Sequence, residues 1–229
     1  VFVIEDEMPS QEVVQVHYVI ASGKPYITHS IKALFGPKLP SNKLGALVAI
    51  SPWQKLQYYQ AELIRLLSVL AETGAATIGT LQCMLGNDGQ LYIIENNARP
   101  AACNMYDDWY SLSGFINALS TRNTSLLEEN RLYMNKPRQY SVGVPLIHPQ
   151  ADINFTDFEF KMLKSTGIHM YAFSKDNSYR SSSAKMPSLL IVGGDTPEQA
   201  VEIFNQNFSA ISKFVPYNSL KMHASIFDG

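Results

Sequence analysis

Glu95, Asn97 and Arg99 fall at every second position of the segment YIIENNARP, and a strand turns alternate residues to one face. Gln82 lies on the other side of an Asn87-Asp88-Gly89 turn, a strong hairpin signal, so it can reach the same face from the partner strand. Three oxygen donors converging from two strands, Gln82, Glu95 and Asn97, suit a hard cation such as Mg²⁺. That ion takes carboxylate and amide oxygens and commonly keeps phosphate as a further ligand. Arg99 can meet a phosphate or a developing negative charge with its planar fork of donors. A solvated strand edge also carries Glu and Asn, so spacing by itself leaves both readings open.

The elements that must position these residues are marked along the chain. Residues 1–5, 13–20 and 24–31 alternate or run apolar, with Pro9-Ser10 and Ser22-Gly23 as turns, which predicts an antiparallel meander. Residues 36–50, rich in Gly, Pro, Ser and Asn, read as a long loop. A helix is predicted to start with Ser51 as cap, Pro52 first and Gln54 at the capping-box position. It carries Leu56, Tyr59, Leu63, Leu66, Leu67 and Leu70 on one face and stops at Gly74. Strands are expected over 76–85 and 90–96, and a helix opened by Asp107 and Asp108 runs to Leu119. A polar connector follows over 120–138. The remainder reads as a smaller α+β unit, with strands over 140–147, 169–173 and 188–192 and a helix near 158–164. Its last helix is capped by Thr196, with Gln199 at the box position and Ala200, Phe204, Phe208 and Ile211 on one stripe.

Composition narrows the function classes. The 229 residues carry 18 Lys plus Arg against 20 Asp plus Glu, a net charge of -2. Binding that relies on neutralising nucleic-acid phosphates needs a basic surplus that is absent here. A hydrophobic fraction of 46% can build a core. The longest apolar run, residues 44–50, falls far short of the roughly 20 residues that span a bilayer. The two cysteines, Cys83 and Cys103, have no CxxC spacing and read as reduced thiols of a cytoplasmic protein. The opening VFVIE carries no initiator Met and no basic leader, which suggests the C-terminal part of a longer polypeptide.

The stretch IGTLQCMLGNDGQLYIIENNARP closely resembles the carboxyl-terminal half of the ATP-grasp ligases, which join carboxylates to amines or thiols and include carbamoyl-phosphate synthetase, glycinamide ribonucleotide synthetase and biotin carboxylase. Their pattern is a strand ending in Glu or Gln, a turn with Gly, and a strand of the form (Y/F)-x-x-E-x-N-x-R. The resemblance implies that Gln82, Glu95 and Asn97 hold the Mg²⁺ of bound ATP, with Arg99 near the transferred phosphate as the catalytic residue. Gln82 departs from the Glu of many members, although carbamoyl-phosphate synthetase-like members carry Gln there; one negative charge fewer should loosen cation binding.

Two further regions extend the likeness. FVIEDEMPSQEVVQV resembles the hinge strand, which implies that Glu5 and Met8 lie over the adenine and that Glu12 binds the ribose hydroxyls. THSIKALFGPKLPSNKLGALVAISPW follows the family's order of a basic residue, a Gly-Pro turn, a Gly-Ala pair and a Ser-Pro before a helix. On that match Lys32, or His29, reaches the ATP phosphates or the substrate carboxylate.

The fold expected is α+β: an ATP-grasp C-terminal lobe, an antiparallel sheet flanked by helices, over residues 1–135, and a small closing domain over 136–229. The expected activity is ATP- and Mg²⁺-dependent activation of a carboxylate as an acyl phosphate for attack by an amine. Small-molecule carboxylate and amine substrates would be its partners, in the cytoplasm, with homo-oligomerisation open. The upstream lobe of the same polypeptide would complete the nucleotide site, so this fragment alone should be inactive. A non-catalytic ATP-grasp scaffold is the rival reading, and a bicarbonate-using component of a larger complex is a third.

Overall fold

Alternation decides what each face of the first sheet carries. In Ser10–Ala21 (β1), Val14, Val16, Tyr18 and Ile20 are buried on one face while Gln15 and His17 fall on the other. The structure, a computed structural model, describes residues 10–35, 46–99, 112–128, 140–146, 169–172, 180–181, 184–185, 188–211 and 222–227. The expected strand over 1–5, the first part of the loop at 36–45, the start of the helix opened at Asp107 and the helix near 158–164 lie outside the described residues, as do Glu5, Met8 and Cys103.

The chain divides into two compact units, one of residues 1–32 and 55–137, the other of 33–54 and 138–229. In the first, Thr77–Gly86 (β4) pairs antiparallel with β1 on one side and with Leu91–Asn97 (β5) on the other. A turn at Ser22 and Gly23, both at positive φ, leads from β1 into Lys24–Phe35 (β2). The β4–β5 turn closes as expected. Gly86 N–H donates to Gln90 O at 2.9 Å, Gly89 takes a φ of 77°, and the Asp88 carboxylate accepts from Gln90 N–H at 3.0 Å and from the Tyr92 hydroxyl at 2.6 Å.

The helix of this unit, Leu56–Glu72 (α1), buries Leu63, Leu67 and Ala71, a stripe at i, i+4 and i+8. Leu66, expected on that stripe, is 39% exposed at its margin. Gly74, at a φ of 83°, ends the helix as expected, and its N–H donates to Ala71 O. The start differs from the expectation. Ser51 does not cap the helix, because its backbone belongs to Ala46–Ser51 (β3) and pairs with Ser141; Lys55 precedes the first helical turn. The strand also corrects the loop reading of 36–50, whose apolar end at 46–50 is extended. Leu112–Thr121 (α2) matches the expected helix, and a single turn, Ser125–Glu128 (α3), interrupts the segment read as a connector.

In the second unit, β3 pairs with Tyr140–Leu146 (β6), β6 with Ser188–Gly194 (β10), and β10 with His169–Ala172 (β7), all antiparallel. A separate two-residue ladder joins Arg180–Ser181 (β8) to Ala184–Lys185 (β9). Pro197–Ile211 (α4) packs on β10 and β6 through Ala200, Val201 and Phe204. Thr196 caps it, Gln199 N–H donating to Thr196 Oγ1 at 3.2 Å, while Gln199 Oε1 reaches one residue past the cap and accepts from Asp195 N–H at 2.6 Å. Asn205 clasps the backbone of Met222, accepting from its N–H at 3.0 Å and donating to its O at 2.9 Å.

Candidate functional site: a polar sheet face at the β4–β5 edge

The face of β4 and β5 that carries the donors depends on one extra residue. Met84 stands opposite Tyr92 and Cys83 opposite Ile93, but Gln82 stands opposite Glu95, so Ile94 is an added residue in β5. Without it, strict alternation from Tyr92 would turn Glu95 and Asn97 away from Gln82. With it, Gln82 faces Glu95 directly and Thr80 faces Asn97. The Asn97 amide nitrogen donates to Glu95 Oε1 at 2.7 Å, which orients both side chains and leaves Asn97 Oδ1 and Glu95 Oε2 as acceptors.

This face continues onto β1, where Gln15 stands opposite Gln82 and His17 opposite Thr80. Thr80 Oγ1 lies 3.2 Å from His17 Nδ1, and the His17 ring stacks on His29 of β2 with centroids 3.9 Å apart and planes 7° from parallel. The three residues are buried: His17 is 1%, Thr80 2% and His29 5% exposed. Burial, and secondarily the neighbouring His17, hold the His29 imidazole well below its usual pKa. The pattern Gln15-x-His17 within the otherwise apolar run 13–21 is the sequence signal for this row.

The expected site residues divide into those brought together and those kept apart. Gln82, Glu95 and Asn97 share one face of one hairpin. Arg99 follows β5 in an exposed bend. Lys32 lies in β2 and is 6% exposed, and His29 is buried against His17 rather than presented to solvent. Glu12 stands opposite Leu85, in step with Val14 opposite Cys83 and Val16 opposite Leu81, which places it on the apolar face, away from the three donors. There its carboxylate pairs with Lys55 Nζ at 2.8 Å, at the start of α1. Both groups are largely covered, so the pair ties α1 to β1.

On that apolar face β5 has a second anchor. The Tyr18 ring lies over Gly79, where an added Cβ would collide with it, and the Tyr18 hydroxyl donates to Asn96 Oδ1 at 2.7 Å. Burial raises the Tyr18 pKa, and the Asn96 hydrogen bond opposes that rise. Cys83 is buried on the same face, which pushes its thiol up to about 12.

The donor set fits a hard cation in type, with one carboxylate and two amides on a shared face. Among the described residues no three His, Cys, Asp or Glu side chains gather into a metal-holding group, so the amides would have to complete any such site. No helix among the described residues is long and apolar enough to cross a membrane.

By sequence the chain matches no protein-family profile and no curated protein. By structure it resembles several solved enzymes. The ATPase subunit of phosphoribosylaminoimidazole carboxylase from Aquifex aeolicus aligns with a TM-score of 0.61 and 18% identity, covering 90% of this chain and 58% of that one. N5-carboxyaminoimidazole synthase from Aspergillus clavatus, solved with ADP and 5-aminoimidazole ribonucleotide, aligns with a TM-score of 0.61 and 12% identity over 90% of this chain and 53% of that one. The biotin carboxylase domain of 2-oxoglutarate carboxylase from Hydrogenobacter thermophilus, solved with MgADP, ADP and bicarbonate, aligns with a TM-score of 0.56 and 16% identity over 86% of this chain and 45% of that one. The chain thus spans about half the length of these enzymes. An antiparallel sheet with few helices, a polar donor face at the β4–β5 edge and these likenesses together give the chain the fold of the ATP-grasp ligases.

Proposed function

We propose that this chain is part of an ATP-grasp ligase that uses ATP and Mg²⁺ to activate a carboxylate as an acyl phosphate for attack by an amine. The observation that carries the reading is the opposition of Gln82 and Glu95 across the β4–β5 hairpin, with Asn97 bonded to Glu95 on the same face. Glu95, Asn97 and Gln82 would hold Mg²⁺ against the ATP phosphates, and the ion would neutralise charge as the γ-phosphoryl group is transferred. Arg99, two residues beyond the same strand, would supply a further positive charge near the transferred group. Phosphoryl transfer of this kind rests on positioning and electrostatics, so no side chain here has to act as acid or base.

In this reading Glu5 and Met8 would contact the adenine, and Lys32 of β2 would meet the phosphates. Glu12, assigned to the ribose by resemblance, is committed to Lys55 on the opposite face and serves to anchor α1. The second nucleotide-holding lobe would come from outside these 229 residues, in keeping with a chain that spans about half of its structural neighbours. Residues 136–229 would form the closing domain. Bicarbonate is the first carboxylate to try, because one neighbour was solved with it beside MgADP. A non-catalytic ATP-grasp scaffold is favoured by one feature, the single carboxylate of the donor set.

Glu95→Ala in the complete polypeptide tests the choice. Loss of substrate-dependent ADP release by two orders of magnitude or more, roughly the effect of removing one strong electrostatic element, is expected for the ligase. An unchanged rate in the variant would refute the role given to Glu95, and absence of substrate-dependent ADP release from the unsubstituted polypeptide would favour the scaffold.

A further inference from the structure

The face on which Glu95 and Asn97 stand is not secured by apolar burial. Among the described residues β5 pairs with β4 alone, so it forms the edge of its sheet. Its two isoleucines, Ile93 and Ile94, are 42% and 46% exposed. A strand whose register is specified by a buried apolar face resists slipping, because a one-residue slip would expose that face. In β5 the burial penalty for a slip is small, yet a slip would turn Glu95 and Asn97 away from Gln82.

A directional bond from outside the hairpin supplies what burial does not. Tyr18 is 1% exposed and comes from β1, the strand beyond β4. Its ring passes over the bare backbone of Gly79, a passage that any Cβ at that position would block, and its hydroxyl ends 2.7 Å from Asn96 Oδ1. Asn96 lies between Glu95 and Asn97 in sequence and points to the opposite face. Holding it there fixes the strand on the far side of the Ile94 bulge, the side that carries both donors.

The geometry points to Tyr18 as a positioning residue for the cation-binding edge: its hydrogen bond to Asn96 locks the β5 register that turns Glu95 and Asn97 toward Gln82. The inference rests on the cation reading of those three residues. Its consequence is a fixed ligand spacing, and hence cation affinity, set by a residue that touches neither cation nor nucleotide. A buried hydroxyl suits this role, since its direction is fixed by the packing of its ring.

Mn²⁺ serves as the probe, because it accepts the same oxygen ligands as Mg²⁺ and its binding to the ADP complex can be followed by electron paramagnetic resonance without turnover. In the complete polypeptide, Tyr18→Phe and Asn96→Ala are each expected to weaken Mn²⁺ binding roughly fivefold, the equivalent of one ordinary hydrogen bond. The double variant should be no weaker than either single one, since both remove the same bond. Glu95→Ala, measured alongside, should abolish the Mn²⁺ signal of the site. A purely structural role for Tyr18 would lower the melting temperature while leaving Mn²⁺ affinity of the folded protein unchanged. That result, with Glu95→Ala still abolishing binding, overturns the tether alone. Mn²⁺ binding that survives Glu95→Ala overturns the cation reading itself, and the tether with it.

Discussion

His29 is the residue whose chemistry departs furthest from its sequence-level expectation. Lys32 or His29 was expected to reach phosphate from this stretch, yet the His29 imidazole is buried face to face with His17. Its folded pKa is depressed well below 6.5, first by desolvation and then by the neighbouring ring. The linkage has a definite sign. Below the unfolded pKa near 6.5 the unfolded chain takes up a proton at this residue that the folded chain refuses, so stability falls as pH falls through that range. His29→Leu should therefore flatten the acid limb of the stability curve. As pH falls below 6.5 the wild type should lose stability more steeply than the variant, by at most about 1.4 kcal/mol per pH unit, one proton's worth. Urea unfolding at a series of pH values measures it, and parallel slopes for the two proteins would refute a buried neutral imidazole. Little of this was legible in the sequence, because a His in an apolar strand does not reveal that a second His will stack on it from the next strand.

At the scale of elements, capping was legible and close approach was not. Thr196 and Gln199 announced α4, and the Thr196 cap on Gln199 N–H is present. Gly194 ends β10 where a Cβ would lie 2.5 Å from the Ala200 backbone nitrogen and 3.0 Å from its Cα. Those atoms belong to α4 and cannot swing aside as a flexible side chain can, so Gly194→Ala should force the helix off the strand. A cost of about 1–3 kcal/mol is typical of such overpacking, against about 1 kcal/mol for loss of the cap in Thr196→Ala. Thermal unfolding of the two variants ranks them, and a Gly194→Ala protein no less stable than Thr196→Ala would count against the contact. The failed cap at Ser51 has the complementary cause. Its sequence pattern was adequate, but strand pairing with Ser141 claimed the backbone first, as tertiary pairing routinely overrides local preference.

At the scale of the whole molecule, the likenesses cover 86–90% of this chain but 45–58% of the enzymes compared. If a nucleotide is held between two lobes, a chain that carries one of them offers half of the contacts. Residues 1–229 alone should then bind MgATP weakly, with no saturation in the low-micromolar range by calorimetric titration. Tight binding by this chain would show that it holds a complete nucleotide site.

The sequence by itself determined the β4–β5 hairpin, the polar type of its edge and the resemblance to the ATP-grasp ligases, because turn chemistry, alternation and residue spacing are local properties of a chain. It could not determine which donors meet. The Ile94 bulge, the Tyr18 bond to Asn96 across 78 positions and the Lys55 pair that draws Glu12 to the other face all depend on strands distant in sequence finding one register. A strand has a period of two, so one added residue reverses every side chain beyond it. Where that residue falls is decided by the partners packed beside the strand, and only the tertiary structure contains them.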